Sequence, residues 1–171
     1  MRGGRGFTLL ELVLVMTMIA LMAGLVVPRF VDFAARSQLA AGGQQAAALL
    51  GFARHWALSR GVAVMVTWEQ SGAVVSAEAD PEGSPGEFTP LQAGRESRLA
   101  LPEGITIASL QAGEGEQELP YESVIYADGT GEDLTVYLED EAGHRRRVDY
   151  QGRLGRARVQ AGEEADEKAP S

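Results

Sequence analysis

From Phe7 to Val27 the chain runs for 21 residues, "FTLLELVLVMTMIALMAGLVV", almost without a polar side chain. A helix of that length is about 31 Å long at about 1.5 Å per residue, which matches the hydrocarbon core of a bilayer. Pro28 follows, where the missing N–H and the crowding of the preceding turn predict a kink. From Arg29 to Arg60 the segment is rich in the helix formers Ala, Leu, Gln and Arg. Within it Leu39, Gly43, Ala46, Leu50, Ala53 and Ala57 recur every three or four positions, an apolar stripe that Phe52 and Trp56 flank. That stripe is expected to lie against a sheet, and Gly61 to cap the helix. Gly42 and Gly43 cost about 1 kcal/mol each relative to alanine, so local melting or close packing is expected there.

After Gly61 the period falls to two. Val62, Val64, Val66 and Trp68 share one face of a strand, a turn follows at 70–72, and 73–78 reads as its hairpin partner. The stretch from Asp80 to Glu96 is rich in Pro, Gly and charge and is expected to be a mobile loop, and Gln111–Pro120 a second polar loop. Strands are expected at "ITIASL", at Val124–Tyr126, at "LTVYLE" (Leu134–Glu139), and at "HRRRVDY" and "RLGRARV". A helix followed by several short strands predicts an α+β chain with a C-terminal antiparallel β-sheet domain.

Composition narrows the chemistry. From Phe7 onward the chain has 13 basic and 24 acidic residues, a net charge of −11, which argues against general nucleic-acid binding. There is no cysteine, so disulfides, thiolate nucleophiles and Cys-ligated metal sites are excluded. His55 and His144, the only histidines, have no metal-ligand spacing, and no G-x-S-x-G elbow occurs. "DGTGED" holds Asp128, Glu132 and Asp133 but lacks the alternating oxygen ligands of a calcium loop, and reads as a solvated turn. No enzyme activity, metal or cofactor is expected.

Glu11 is the anomaly of the apolar run. A carboxylate deep in hydrocarbon costs about 2.5–3.5 kcal/mol on insertion scales. Arg2 and Arg5 precede the run and hold the N-terminus in the cytoplasm by the positive-inside rule, which sends the rest of the chain across. A cleaved secretory signal is a poor match, because the run exceeds the usual 7–15 residues of a signal core and carries an acid. A plain signal anchor leaves Glu11 unexplained.

The residues Gly6, Phe7, Thr8, Leu9, Leu10 and Glu11, in "RGFTLLELVLVM", resemble the processing site of the type IV pilin and pseudopilin family. The resemblance implies that a prepilin peptidase cuts between Gly6 and Phe7, that Phe7 is N-methylated, and that Glu11 becomes the fifth residue of the mature subunit. It also implies that Glu11 meets the freed amine of a neighbouring subunit, and that Pro28 belongs to a long helix shared by the family. Further along, "LLGFARHWALSRG", "IYADGTGEDLTVYL" and "VDYQGRLGRARV" resemble the group of minor pseudopilin H and FimT within that family.

Together the residue patterns and the resemblance lead to an expectation of five segments. These are a leader (1–6), a transmembrane and filament-core helix (7–27), an amphipathic continuation (28–60), a periplasmic β-sheet domain (61–160) and an acidic tail expected to be disordered (161–171). The function it implies is that of a minor pseudopilin of a type II secretion system, anchored in the inner membrane and assembled into a periplasmic pseudopilus near its tip. Its partners would be other pseudopilins or pilins, the prepilin peptidase and the inner-membrane assembly platform. A minor type IV pilin acting in pilus assembly or DNA uptake is the alternative, and a signal-anchored periplasmic binding protein a second. Six arginines, Arg145, Arg146, Arg147, Arg153, Arg156 and Arg158, are candidates for contact with an anionic partner such as nucleic acid. Strand alternation puts Arg145 and Arg147 on one face and Arg146 on the other, so pairing with nearby acids is the expectation.

Overall fold

A computed structural model describes residues 8–79, 86–92, 94–113 and 115–162, with only the backbone described at 23–32. The leader 1–6, Phe7 and the tail from 163 lie outside the described residues, as does the side chain of Pro28. Helix α1 (Leu9–Arg60) is continuous in its backbone, Pro28 included. The chain divides into two units, one up to Ser37 and one from Gln38.

Among its described residues the second unit is an α+β domain with ten strands in two antiparallel sheets. β1 (Val64–Glu69), β2 (Gly72–Glu78), β3 (Phe88–Pro90), β4 (Arg98–Ala100) and β7 (Tyr121–Ile125) form the first sheet, in the order β3-β2-β1-β7 with β4 also on β2. β5 (Ile105–Ala112), β6 (Gly115–Gln117), β8 (Leu134–Asp140), β9 (Arg145–Gln151) and β10 (Arg156–Ala161) form the second, in the order β10-β9-β8-β5-β6. Two backbone bonds tie the β1–β2 turn to the chain just past β4 and to β5 of the second sheet: Leu101 N–H to Ser71 O (3.3 Å) and Ile107 N–H to Gln70 O (2.9 Å). The β5–β8 register shifts just past Ile107, leaving Ala108 as an extra residue. A bulge of this kind bends the strand where its backbone serves a second partner.

The periodicities account for the core. Leu39, Ala46, Leu50, Ala53 and Ala57 of the helix stripe are all at most 1% exposed, and Phe52 and Trp56 are half-buried beside them. They meet Val64, Val66 and Trp68 of the first sheet and Val136, Leu138 and Val148 of the second in a single cluster. The indole of Trp68, fully buried, donates its N–H to Ser123 Oγ at 3.0 Å, which satisfies the polar atom that its burial would otherwise strand. Gly61, at φ +65°, ends the helix with its N–H on Ala57 O at 2.8 Å, the left-handed cap expected of it.

Other expectations are corrected by pairing. The presumed loop 80–96 contains β3 and most of a 3₁₀ turn, Gly94–Ser97, and the presumed loop 111–120 contains the end of β5 and all of β6. β7 and β8, which flank the Asp128 turn, belong to different sheets. Short strands of this kind are stabilised by the neighbour they pair with, and their own composition carries little signal.

At Gly42 and Gly43 close packing is the outcome. A Cβ on Gly43 would stand 3.0 Å from Val159 Cγ1 and 3.2 Å from Arg146 Cγ, whereas one on Gly51 would meet nothing within 4 Å. The two helical glycines therefore respond in opposite directions. Gly43→Leu is expected to destabilise the domain by about 1–3 kcal/mol through overpacking. Gly51→Ala is expected to stabilise it by up to about 1 kcal/mol through helix propensity. Urea titration of both variants checks the pair.

Candidate functional site

The start of α1 is built from three residues. Thr8 is the N-cap, its Oγ1 accepting the backbone N–H of Glu11 at 3.2 Å. Glu11 lies in the first turn, where its charge complements the positive end of the helix dipole. Beyond it, eleven large apolar residues from Leu9 to Met22 are exposed: Leu9 is 81% and Leu21 67% accessible. They surround the helix, so no stripe distinguishes a buried face from a free one. Among the described residues no helix is long and apolar enough to cross a membrane. The part of the apolar run with described side chains, 8–22, is 15 residues, about 22 Å of helix, against the roughly 30 Å of a bilayer core.

In the second unit, Arg54 of α1 joins two glycine loops. Its Nε donates to Gly129 O at 3.1 Å. Gly155, at φ +61°, packs so tightly on it that a Cβ would lie 2.0 Å from Nε. The loops also hold each other: Gly152 N–H donates to Asp133 Oδ1 at 2.7 Å, and a Cβ on Gly152 would stand 2.2 Å from Gly131 O. "DGTGED" and "QGRLG" thus form one structure, in which backbone touches backbone. Tyr150 beneath them is 2% exposed, and burial pushes its phenol pKa up despite the nearby Arg54 charge.

The acids of the Asp128 turn are each engaged locally. Asp128 accepts from the N–H and hydroxyl of Thr130, and the side-chain bond chiefly lowers its pKa. Glu132 accepts from Tyr121 OH at 3.0 Å, and Asp133 is held by Gly152. Among the described residues no group of three or more acids or histidines is set to hold a metal.

The six arginines are not gathered together. Arg145 bonds Glu139 (2.5 Å) and Arg147 bonds Asp149 (2.6 Å), while Arg146 turns to the helix side and lays its stem over Gly43 with Nε buried. Arg153, Arg156 and Arg158 are exposed on the β9–β10 turn and on β10, an edge strand. Register sets Arg158 opposite Asp149. Between α1 and the 3₁₀ turn lies an open cleft of about 630 Å³, lined by Leu49, Phe52, His55, Arg95, Glu96 and Arg98 among others.

No family model matches the chain, and no curated protein matches it in sequence. Its architecture does have counterparts. A crystal structure of the minor pseudopilin EpsH from the type II secretion system of Vibrio cholerae matches at TM-score 0.59 and 16% identity, covering 76% of this chain and 98% of that one. The solution structure of E. coli GspH matches at TM-score 0.54 and 20% identity, covering 78% and 94%. The chain has the minor pseudopilin fold.

Within this pseudopilin fold, several residues escaped the sequence reading. Thr8 was legible through the Thr-x-x-Glu spacing of a capping box. Arg54, one more arginine in a helix, carried no signal, and Arg95 and Arg98 lay in and beside a stretch read as loop. Gly6 and Phe7 fall outside the described residues.

At the β8–β9 turn of the pseudopilin fold, Asp140 Oδ2 meets His144 Nδ1 at 2.8 Å, and Asp140 Oδ1 accepts the N–H groups of Ala142 and His144. Burial pushes the Asp140 pKa up, but the bonds from His144 and Ala142 outweigh it and hold the carboxyl below its ordinary value. A folded-state pKa below the unfolded value of about 3.9 means stability that is fully present above that pH and is lost as pH falls through the folded value. Asp140→Asn should therefore lower the urea midpoint at pH 7, and the gap to the parent should narrow at about pH 3.

Proposed function

We infer that the chain is a minor pseudopilin of a type II secretion system, a structural subunit of the pseudopilus near its tip that supports protein export across the outer membrane. The observation that carries this reading is the start of α1: a capped helix end with Glu11 in its first turn, followed by exposed apolar residues on every side. Such a surface needs an apolar surround. Lipid supplies it before assembly, and the equivalent helices of neighbouring subunits supply it afterwards. The fold shared with EpsH and GspH supports the same reading.

In this proposal the prepilin peptidase removes residues 1–6, Phe7 is methylated, and Glu11 pairs with the amine of a neighbour's Phe7. The subunit is held in the inner membrane by 7–27 with its β domain in the periplasm, and works as a structural element rather than a catalyst. A carboxylate unpaired in lipid and paired in the filament favours extraction into the filament and sets register.

The minor type IV pilin reading has its own supporting observation, the exposed Arg153, Arg156 and Arg158 on an edge strand. DNA binding through them would weaken steeply with salt.

Mass spectrometry of the mature protein is expected to show a methylated Phe7 terminus; an intact Met1 terminus refutes the processing step. Glu11→Ala should insert and be processed but assemble poorly, scored by co-purification with other pseudopilins. Deletion of the gene should abolish export and leave DNA uptake intact, and the reverse result selects the pilus reading.

A further inference from the structure

The second sheet ends in two edge strands, β10 on one side and β6 on the other, and among the described residues neither has a second neighbour. One cross-strand row joins them. Followed through the register, Arg158 stands beside Asp149, then Thr135, Gln111 and Glu116. In the adjacent row Val148, Val136 and Leu110 are fully buried, so the row from Arg158 to Glu116 lies on the outer face of the sheet.

That row begins on an exposed arginine and ends on an exposed glutamate. Each has a companion. Arg156 is two residues from Arg158 and Glu118 two from Glu116; all four are exposed, and none has an ion pair among the described residues. Asp149, the acid opposite Arg158, already accepts from Arg147 and Thr135. An open cleft of about 880 Å³ borders β6, lined by Glu69, Glu116 and Glu118 and by no basic residue.

The backbone of the β10 edge is also unspent. Gly162 donates to Arg145 O, so 162/145, 160/147 and 158/149 are the pairs that exchange hydrogen bonds with β9. Ala157, Val159 and Ala161 therefore turn their N–H and C=O groups away from it. Charge on an edge strand guards against pairing between copies when both edges carry the same sign. Here the two edges carry opposite signs.

We propose that β10 of one copy pairs with β6 of a second copy, Arg156 and Arg158 against Glu116 and Glu118, so that the second sheet continues from subunit to subunit. The sheet has five strands and every neighbouring pair is antiparallel, so its first and last strands run the same way. Copies in one orientation pair in parallel there, and the equal two-residue spacing brings both charge pairs onto one face. The contact is heterologous, so each copy keeps a free edge for the next. It lies wholly within the second unit and depends neither on processing at Phe7 nor on the pairing of Glu11.

Sedimentation equilibrium of the full chain in detergent micelles tests it. The parent is expected to associate beyond dimers, and more weakly at about 0.5 M than at about 0.05 M salt. Arg156→Glu with Arg158→Glu makes both edges acidic, and Glu116→Lys with Glu118→Lys makes both basic. Each variant alone should associate about tenfold more weakly. An equimolar mixture of the two should regain the parent's association, because every basic edge then meets an acidic one. Ala157→Pro removes an outward N–H with every charge in place, and should weaken association as well. A parent that stays monomeric overturns the proposal. Association indifferent to both charge reversals, as contact through the apolar run would be, overturns it too, and so does a mixture that fails to recover. Duplex DNA that binds a monomeric parent but not the Arg156→Glu, Arg158→Glu variant overturns it in favour of nucleic acid.

Discussion

The contact on which the second unit depends is the close approach of the C-terminal half of α1 to both sheets. Small side chains make it possible. Ala46, Ala53 and Ala57 are fully buried, and at Gly43 there is barely room for a Cβ before Val159 and Arg146. Bulkier residues in that stripe would hold the helix away and open the core to loss of dispersion contacts. With the helix close, Leu39, Leu49 and Leu50 fill the space between the two sheets, and Arg54 reaches the loops at the far end of the second sheet. The glycine loops then pack backbone to backbone, which explains why "DGTGED" and "QGRLG" are so rich in glycine.

The first half of α1 obeys the opposite rule. Where the second half has one buried stripe, the residues from Leu9 to Met22 are exposed on all sides and mostly apolar. The two parts of the helix thus present different surfaces: the described residues of the C-terminal part bury one stripe against the sheets, and those from Leu9 to Met22 have no such stripe. Thr8 and Glu11 finish its N-terminal end: the cap consumes one of the unpaired backbone donors of the first turn, and the acid offsets the partial positive charge of the helix end.

The arginines show how tertiary position sorts one residue type into several uses. Arg145 and Arg147 are neutralised by acids on their own sheet, Arg146 contributes its stem to the helix contact, and Arg54 holds the carbonyl of Gly129. Arg153, Arg156 and Arg158 are left exposed, Arg158 in register with Asp149. The alternation of strand β9 foretold that Arg146 would part from its neighbours, because a period of two admits no other arrangement.

The helix stripe, the first hairpin, the Gly61 cap and the apolar run were legible in the sequence, since each is a local pattern: a period, a turn residue or an uninterrupted hydrophobic stretch. The amino-acid order also carried the resemblance at "RGFTLLEL", which lies before and at the first described residues. It did not reveal the division of the strands into two sheets, the short strands β3, β4 and β6, or the cleft at Arg95 and Arg98. Those depend on which segments meet after the chain has folded back on itself. Pairing partners are chosen by packing between distant residues, and no local pattern records that choice. The opposite roles of Gly43 and Gly51 are the plainest case: identical residues in one helix, distinguished only by whether Val159 and Arg146 stand opposite.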